Sequence, residues 1–141
     1  MEPPALRIPT SHPDVWIEPP DLLHVTMRGT LDAAEATPLL AAQLAAGGTW
    51  PHAIVLCDVS ALEWMSMAAR RKFAETRNVG PPRAIVVIGA NAMLRSLADL
   101  LFRAVQALRP AHPSPTRFVR DLAEARAAIP ELRRMLGVHS D

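Results

Sequence analysis

Between Asp58 and Phe73 the chain reads DVSALEWMSMAARRKF, which puts a carboxylate, two hydroxyls and a basic triplet within a short span. Asp58 directly follows the apolar run AIVLC, and the carboxyl end of a covered strand is where a phosphoacceptor could sit. That chemistry needs an acidic pair after the first strand to hold magnesium and a lysine after the last parallel strand; the chain offers neither. Asp58 therefore reads as a turn carboxylate that accepts backbone N–H groups just past the strand. Cys57 ends the apolar run, the setting of a buried and inert thiol. His12, His24, His52, His112 and His139 stand far apart and none has a ligand spacing such as HExxH, so no metal site is expected. GANA at residue 89 is not GxGxxG, no GxxxxGK[ST] occurs, and no serine sits in GxSxG. With no nucleophile and base to place together, neither an enzyme nor a cofactor is expected. Arg70, Arg71 and Lys72 span nearly a full helical turn, so their charges diverge; they read as a solvated face or a contact with an acidic partner or lipid headgroup.

These residues need a scaffold, and the hydrophobic pattern supplies one. Leu23, Val25 and Met27 alternate with His24, Thr26 and Arg28, the period of a strand with one buried face, on which His24 is a polar-face residue. Pro19, Pro20 and Asp21 turn this strand back on a shorter one at Val15 to Ile17. Thr37 before Pro38 predicts a helix over PLLAAQLAA that ends at Gly47 and Gly48. The unalternating runs AIVLC and RAIVVIG predict strands covered on both faces. Ser66 to about Thr76 reads as a helix, and Asn91 caps a long one over AMLRSLADLLFRAVQAL, closed by the prolines of RPAHPSP. A strand at RFV leads into DLAEARAAI, where Asp121 and Glu124 have capping-box spacing; Pro130 should interrupt that helix, with ELRRML as a continuation at an angle.

The predicted order is ββαβαβαβα: a single α/β domain with a mixed, mostly parallel sheet, an N-terminal hairpin and four helices. Residues 1–12 read as an irregular extension, 13–137 as the domain and 138–141 as a tail. The 141 residues suit one domain; half are hydrophobic and 21% charged, a globular balance. A net charge of +1 argues against nucleic acid as partner. One cysteine needs no oxidising compartment, and neither a leader nor a membrane span is recognisable, so the expected address is the cytoplasm. Every basic residue but Lys72 is arginine and alanine is abundant, a composition associated with GC-rich bacterial genomes.

On the long helix, Leu94, Leu97, Leu101, Val105 and Leu108 form a core stripe. Met93, Leu100 and Ala104 form a second one beside it. Either the helix wedges between sheet and neighbouring helix, or this second stripe lines a pocket or partner surface. Arg95, Asp99 and Arg103, spaced by four, should form supporting ion pairs.

Three stretches together resemble the STAS domain family, whose founding members are bacterial anti-sigma-factor antagonists. GTLD at Gly29 to Asp32 is similar to the family's G-x-L-D, Asp58, Ser60 and Leu62 to its D-[LV]-S-x-[VL], and DLAEARAAI to the opening of its last helix. The resemblance runs from about Asp14 to Ile129. It implies a small α/β domain that docks to proteins, sometimes with a nucleotide or lipid, without catalysis. In the antagonist branch a D-S-S-G follows, and its second serine is phosphorylated to break the complex. The corresponding residues here are Ser66, Met67, Ala68 and Ala69, so alanine holds the phosphoacceptor position. Ser66 is either a helix cap or a displaced phosphoacceptor. The resemblance is to the SpoIIAA-like branch, which lacks the phosphoserine and is thought of as a candidate binder of small lipophilic molecules. The expected function is a regulatory docking module with a degenerate switch, binding a protein partner or itself as a homodimer. The alternative is a carrier or sensor of a small apolar ligand or lipid held between sheet and helices. The expected contact residues are Asp58, Ser60, Trp64, Met65, Ser66 and Met67, with Asn91, Met93 and Leu100.

Overall fold

The computed structural model describes residues 6–76, 81–108 and 115–138. Its elements are β1 (Ile8–Pro9), β2 (Val15–Glu18), β3 (Leu22–Leu31), α1 (Ala33–Gly47), β4 (Ala53–Met65), α2 (Met67–Thr76), β5 (Arg83–Ile88), α3 (Ala92–Leu108), β6 (Thr116–Val119) and α4 (Leu122–Met135). The six strands lie in chain order across one sheet. β1, β2 and β3 are antiparallel neighbours, and β3 through β6 are parallel.

Right-handed crossovers between strands that advance in one direction place their helices on one face. α1, α2 and α3 accordingly pack there, against Leu23, Val25, Val55, Cys57 and Val87. α4 follows the last strand and covers the other face, where Ala125, Ile129 and Leu132 meet Leu22, Ile54, Leu56 and Val86. β4 and β5 are thus buried on both sides, which is why their sequences are apolar without alternation.

The predicted α/β class and the order of elements hold, with four differences. Ile8–Pro9 adds an edge strand within the stretch expected to be irregular, because its backbone pairs with Trp16 and Ile17. α1 begins at Ala33 and not at Pro38: the Asp32 carboxylate accepts the Glu35 N–H at 3.1 Å, and Pro38 lies inside the helix. The buried side chains Ala36, Leu39, Leu40 and Gln43 continue across the proline, and their packing outweighs one missing backbone bond. α4 likewise runs through Pro130 as one helix, held on either side by buried Ala125, Ile129 and Leu132. β4 continues to Met65, well past the expected turn at Asp58, because β3 extends beside it to Leu31; two register irregularities accommodate the pairing.

On α3, Leu94 is buried and Leu97 half-buried, whereas Met93 and Leu100 are exposed and so do not wedge into the core. The side chains of Leu101, Ala104, Val105 and Leu108, and most of RPAHPSP, lie outside the described residues. Asp99 pairs with Arg103 at 3.0 Å, but Arg95 leaves the expected series and sits 5.3 Å from the centre of the Phe118 ring.

Candidate functional site: a rim and two cavities at the sheet

The extended end of β4 leads directly into α2. Asp58 Oδ1 accepts both the Ser60 N–H, at 2.9 Å, and the Ser60 hydroxyl, at 2.7 Å. The pair is therefore a local turn inside a strand. Ser66 donates its N–H to Leu31 O at 2.9 Å, and its hydroxyl oxygen accepts the Ala69 N–H at 3.1 Å. It joins β3 to α2 and caps the helix, an arrangement worth about 1 kcal/mol. Asn91 does the same for α3, accepting the Leu94 N–H at 2.9 Å.

Around these caps the side chains divide. Met65 is half-buried against the core, while Met67 is 69% exposed, Met93 52% and Trp64 41%. Met67 and Met93 occupy the first turns of α2 and α3, both at the carboxyl edge of the parallel strands, and Leu100 is exposed two turns further along the face of Met93. Ala68, which the sequence resemblance sets against the antagonists' phosphoacceptor, is also exposed. The basic triplet is split: Arg70 folds back over the Trp64 ring at 4.8 Å and donates to Met65 O at 3.1 Å, whereas Arg71 and Lys72 face solvent.

Cavities flank the sheet on both faces. Between it and α1, α2 and α3 lies an almost wholly apolar space of about 100 Å³, bounded among others by Met27, Leu40, Val59, Phe73 and Leu97. Cys57 lines it, and burial pushes that thiol up to about 12, so it stays protonated and unreactive. Gln43 also lines it at 8% exposure; its only side-chain hydrogen bond among the described residues is a 3.5 Å donation to Leu39 O, which leaves the amide oxygen without a donor there. On the α4 face a larger, polar cleft of about 390 Å³ opens beside Trp16, His24 and Asp58.

The most tightly bonded polar groups lie under that cleft and beside it. Glu18 and Asp21 flank the Pro19–Pro20 turn, and both are buried. Arg126 forks onto Glu18 at 2.7 and 2.9 Å, and His24 Nε2 meets the same carboxylate at 2.9 Å. Arg133, two turns further along α4, forks onto Asp21 at 2.8 and 2.9 Å, where His52 Nε2 also arrives at 2.7 Å. The Arg126 hydrogen bond outweighs burial and holds Glu18 down to about 2. Burial pushes Asp21 up, but the bonds and charges of Arg133 and His52 together bring it below its ordinary value. Burial lowers His24 and outweighs the adjacent Glu18 carboxylate, which raises it, while Arg7 and Arg126 add to the lowering, so the neutral ring is favoured. His24 is thus not on an open polar face, as its alternation suggested: α4 and the Glu18 pair enclose it. Sequence spacing hides both clusters, whose arginines lie 108 and 112 residues from their carboxylates.

A protein from the DUF3478 family of Shewanella loihica PV-4, whose crystal structure is described as having a SpoIIAA-like fold, matches this architecture. The TM-score is 0.53, with 94% of this chain and 99% of that one covered. The fold is SpoIIAA-like. Identity over the match is 21%, so the likeness is one of fold, and that protein is itself described as uncharacterised. No protein-family model and no curated protein sequence matches the chain. Within the SpoIIAA-like fold, the rim described above is formed by the β4–α2 and β5–α3 junctions. Among the described residues no cluster of three or more His, Cys, Asp and Glu could hold a metal ion, and no helix is long and apolar enough to cross a membrane.

Proposed function

We propose that this chain is a non-catalytic, regulatory docking module of the bacterial cytoplasm that binds a protein, or a second copy of itself, through the rim of Trp64, Met67 and Met93. The observation that carries this reading is the exposure of these large apolar side chains on the carboxyl-end side of the parallel strands, at helix starts whose caps are already satisfied. Flexible methionines beside an aromatic ring suit an adaptable protein contact. The phosphoswitch of the antagonist branch is absent from this surface, since Ala68 has no hydroxyl and the Ser66 oxygen is engaged as a cap. Met67→Asp and Met93→Asp should each weaken the complex by about tenfold or more while leaving circular dichroism unchanged. Sedimentation and pull-down of the full chain check this; partners and oligomeric state indifferent to both substitutions would show that the rim is the wrong surface. Intact mass carries a further check, because a phosphate lost in Ser66→Ala would restore a switch.

A second reading has its own observation, the apolar cavity of about 100 Å³ with the bare oxygen of Gln43 in its wall. Apolar cavities of similar size stay dry and admit molecules such as benzene. In this reading the domain carries or senses a small apolar molecule with one hydrogen-bond donor. Indole at saturating concentration should raise the melting temperature by several degrees, and Ala98→Leu, which fills the cavity, should remove the effect. An unshifted melt with indole, together with a ligand-free native mass spectrum of protein from its own host, would sink this reading.

A further inference from the structure

The cleft on the α4 face is separate from both the rim and the apolar cavity, and its floor is set by strand register. Trp16, His24 and Leu56 form one cross-strand row, and Thr26, Asp58 and Ile88 form the next. One wall is the start of α4, with Arg120 and Asp121; on the other side Arg7 lies 5.4 Å from the centre of the Trp16 ring. At about 390 Å³ the space is within the range of ordinary small-molecule sites.

The feature that makes it a built site is His24. The residue is only 5% exposed, and its Nε2 is turned to Glu18. Because that carboxylate is ionised, Nε2 must carry the ring proton. In a neutral imidazole the second nitrogen, Nδ1, is then a bare acceptor, and no hydrogen bond to it exists among the described residues. A buried acceptor without a donor costs free energy, so the site gains when a ligand brings one. Among the described residues, Thr26, two residues along the same strand, has no side-chain hydrogen bond, and Asp58, its register partner, has none at Oδ2. Strand geometry puts Asp58 about 5 Å from Thr26, and His24 about 7 to 8 Å from both.

Charge narrows the ligand class. Arg7 and Arg120 are balanced by Asp58 and Asp121, so the lining favours neither an anion nor a cation overall. A carboxylate or phosphate dianion offers no hydrogen to Nδ1 and would approach the Asp58 carboxylate. A protonated amine offers one, but meets two guanidinium groups. A neutral hydroxyl can donate to His24 or Asp58 and at the same time accept from Thr26 or the arginines, and two hydroxyls can serve both acceptors.

We propose that this cleft binds a small neutral polyhydroxy compound, a polyol or monosaccharide, with one hydroxyl donating to Nδ1 of His24 and others meeting Thr26 and Asp58 beside the apolar wall of Trp16. Nitrogen NMR of full-length protein labelled at histidine tests it, with myo-inositol, D-glucose and glycerol as probes and lactate, phosphate and ethylamine as charged counterparts. His24 should appear as the Nε2–H tautomer, and at least one neutral probe should shift its Nδ1 resonance saturably. Thr26→Val, which keeps the side-chain shape and removes no observed hydrogen bond, should weaken that probe by about five- to tenfold. His24→Gln keeps an N–H for Glu18 and removes the second ring nitrogen, so it should abolish binding; if it fails to fold, Thr26→Val carries the test alone. A proton found on Nδ1, no response to any neutral probe, a response to the charged probes only, or binding indifferent to Thr26→Val would each overturn the proposal.

Discussion

Arg133→Met is expected to lower the unfolding free energy by about 3 kcal/mol, whereas Arg120→Met should change it by no more than about 0.5 kcal/mol. Both substitutions keep an apolar stem and delete a guanidinium, so the difference isolates what the charge meets. Arg120 is 90% exposed and pairs with a half-exposed Glu124 in water. Arg133 forks onto Asp21, whose side chain is 4% exposed, and its loss leaves that carboxylate buried with His52 as its remaining partner. Asp21→Asn in the Arg133→Met background should recover part of the loss, because it removes the uncompensated charge.

Acid provides an independent check on the cause. Glu18 and Asp21 are both held below their ordinary values of 4.5 and 3.8, so their stabilisation is complete above those values and is lost as pH falls through the folded-state values, about 2 for Glu18. His24 adds a loss that begins earlier: its folded-state value lies below the ordinary 6.5, so from there downward the unfolded chain takes up the proton first. Removing Arg133 cancels the main hydrogen bond that offsets burial at Asp21, so the gap between parent and variant should close as pH drops below about 4. Urea midpoints measured across that range decide the matter. A gap that does not depend on pH would mean that Arg133 acts through packing alone.

This clamp also shows where the sequence stops being informative. The class, the order of helices and strands, and the caps at Ser66, Asn91 and Asp121 were legible because each rests on neighbours a few residues away. The length of β4 was not, since Asp58 and Ser60 carry the composition of a turn, and only the matching extension of β3 makes them strand. Pro38 pointed to the wrong helix start for a similar reason: a local preference was overruled by buried side chains on both sides of it. His24 and His52 looked solitary because their partners, Glu18 and Asp21, flank the Pro19–Pro20 turn, and the arginines that fix those partners come from the last helix. At the rim the residues could be named, but which of them turned outward could not: Met65 and Met67 are alike in sequence, and one packs inward while the other is exposed.

Gly89→Ala should cost about 2 to 4 kcal/mol, against about 1 kcal/mol for Gly137→Ala. Both glycines have a left-handed backbone, with φ of +78° and +80°, so an alanine bears the same conformational penalty at each. Around Gly137 an added methyl meets nothing within 4 Å, but at Gly89 it would lie 2.9 Å from Ser60 Cβ and 3.3 Å from Ser60 Cα. That contact is rigid, because Ser60 is held in β4 by its two bonds to Asp58 while the Gly89 N–H is bonded to Val119 O at 2.9 Å. Gly89 therefore sets how closely the end of β5 approaches β4, and the turn that starts α3 and presents Met93 begins there. Denaturation midpoints compare the two sites, and amide exchange at Ser60 and Leu94 reports whether the methyl opens the β4–β5 junction or unfolds the chain as a whole. Equal losses at Gly89 and Gly137 would mean that Ser60 yields easily and that the junction is softer than its hydrogen bonds imply; a larger loss at Gly89, with exchange raised first at those two amides, would establish the close approach as what holds the rim in place.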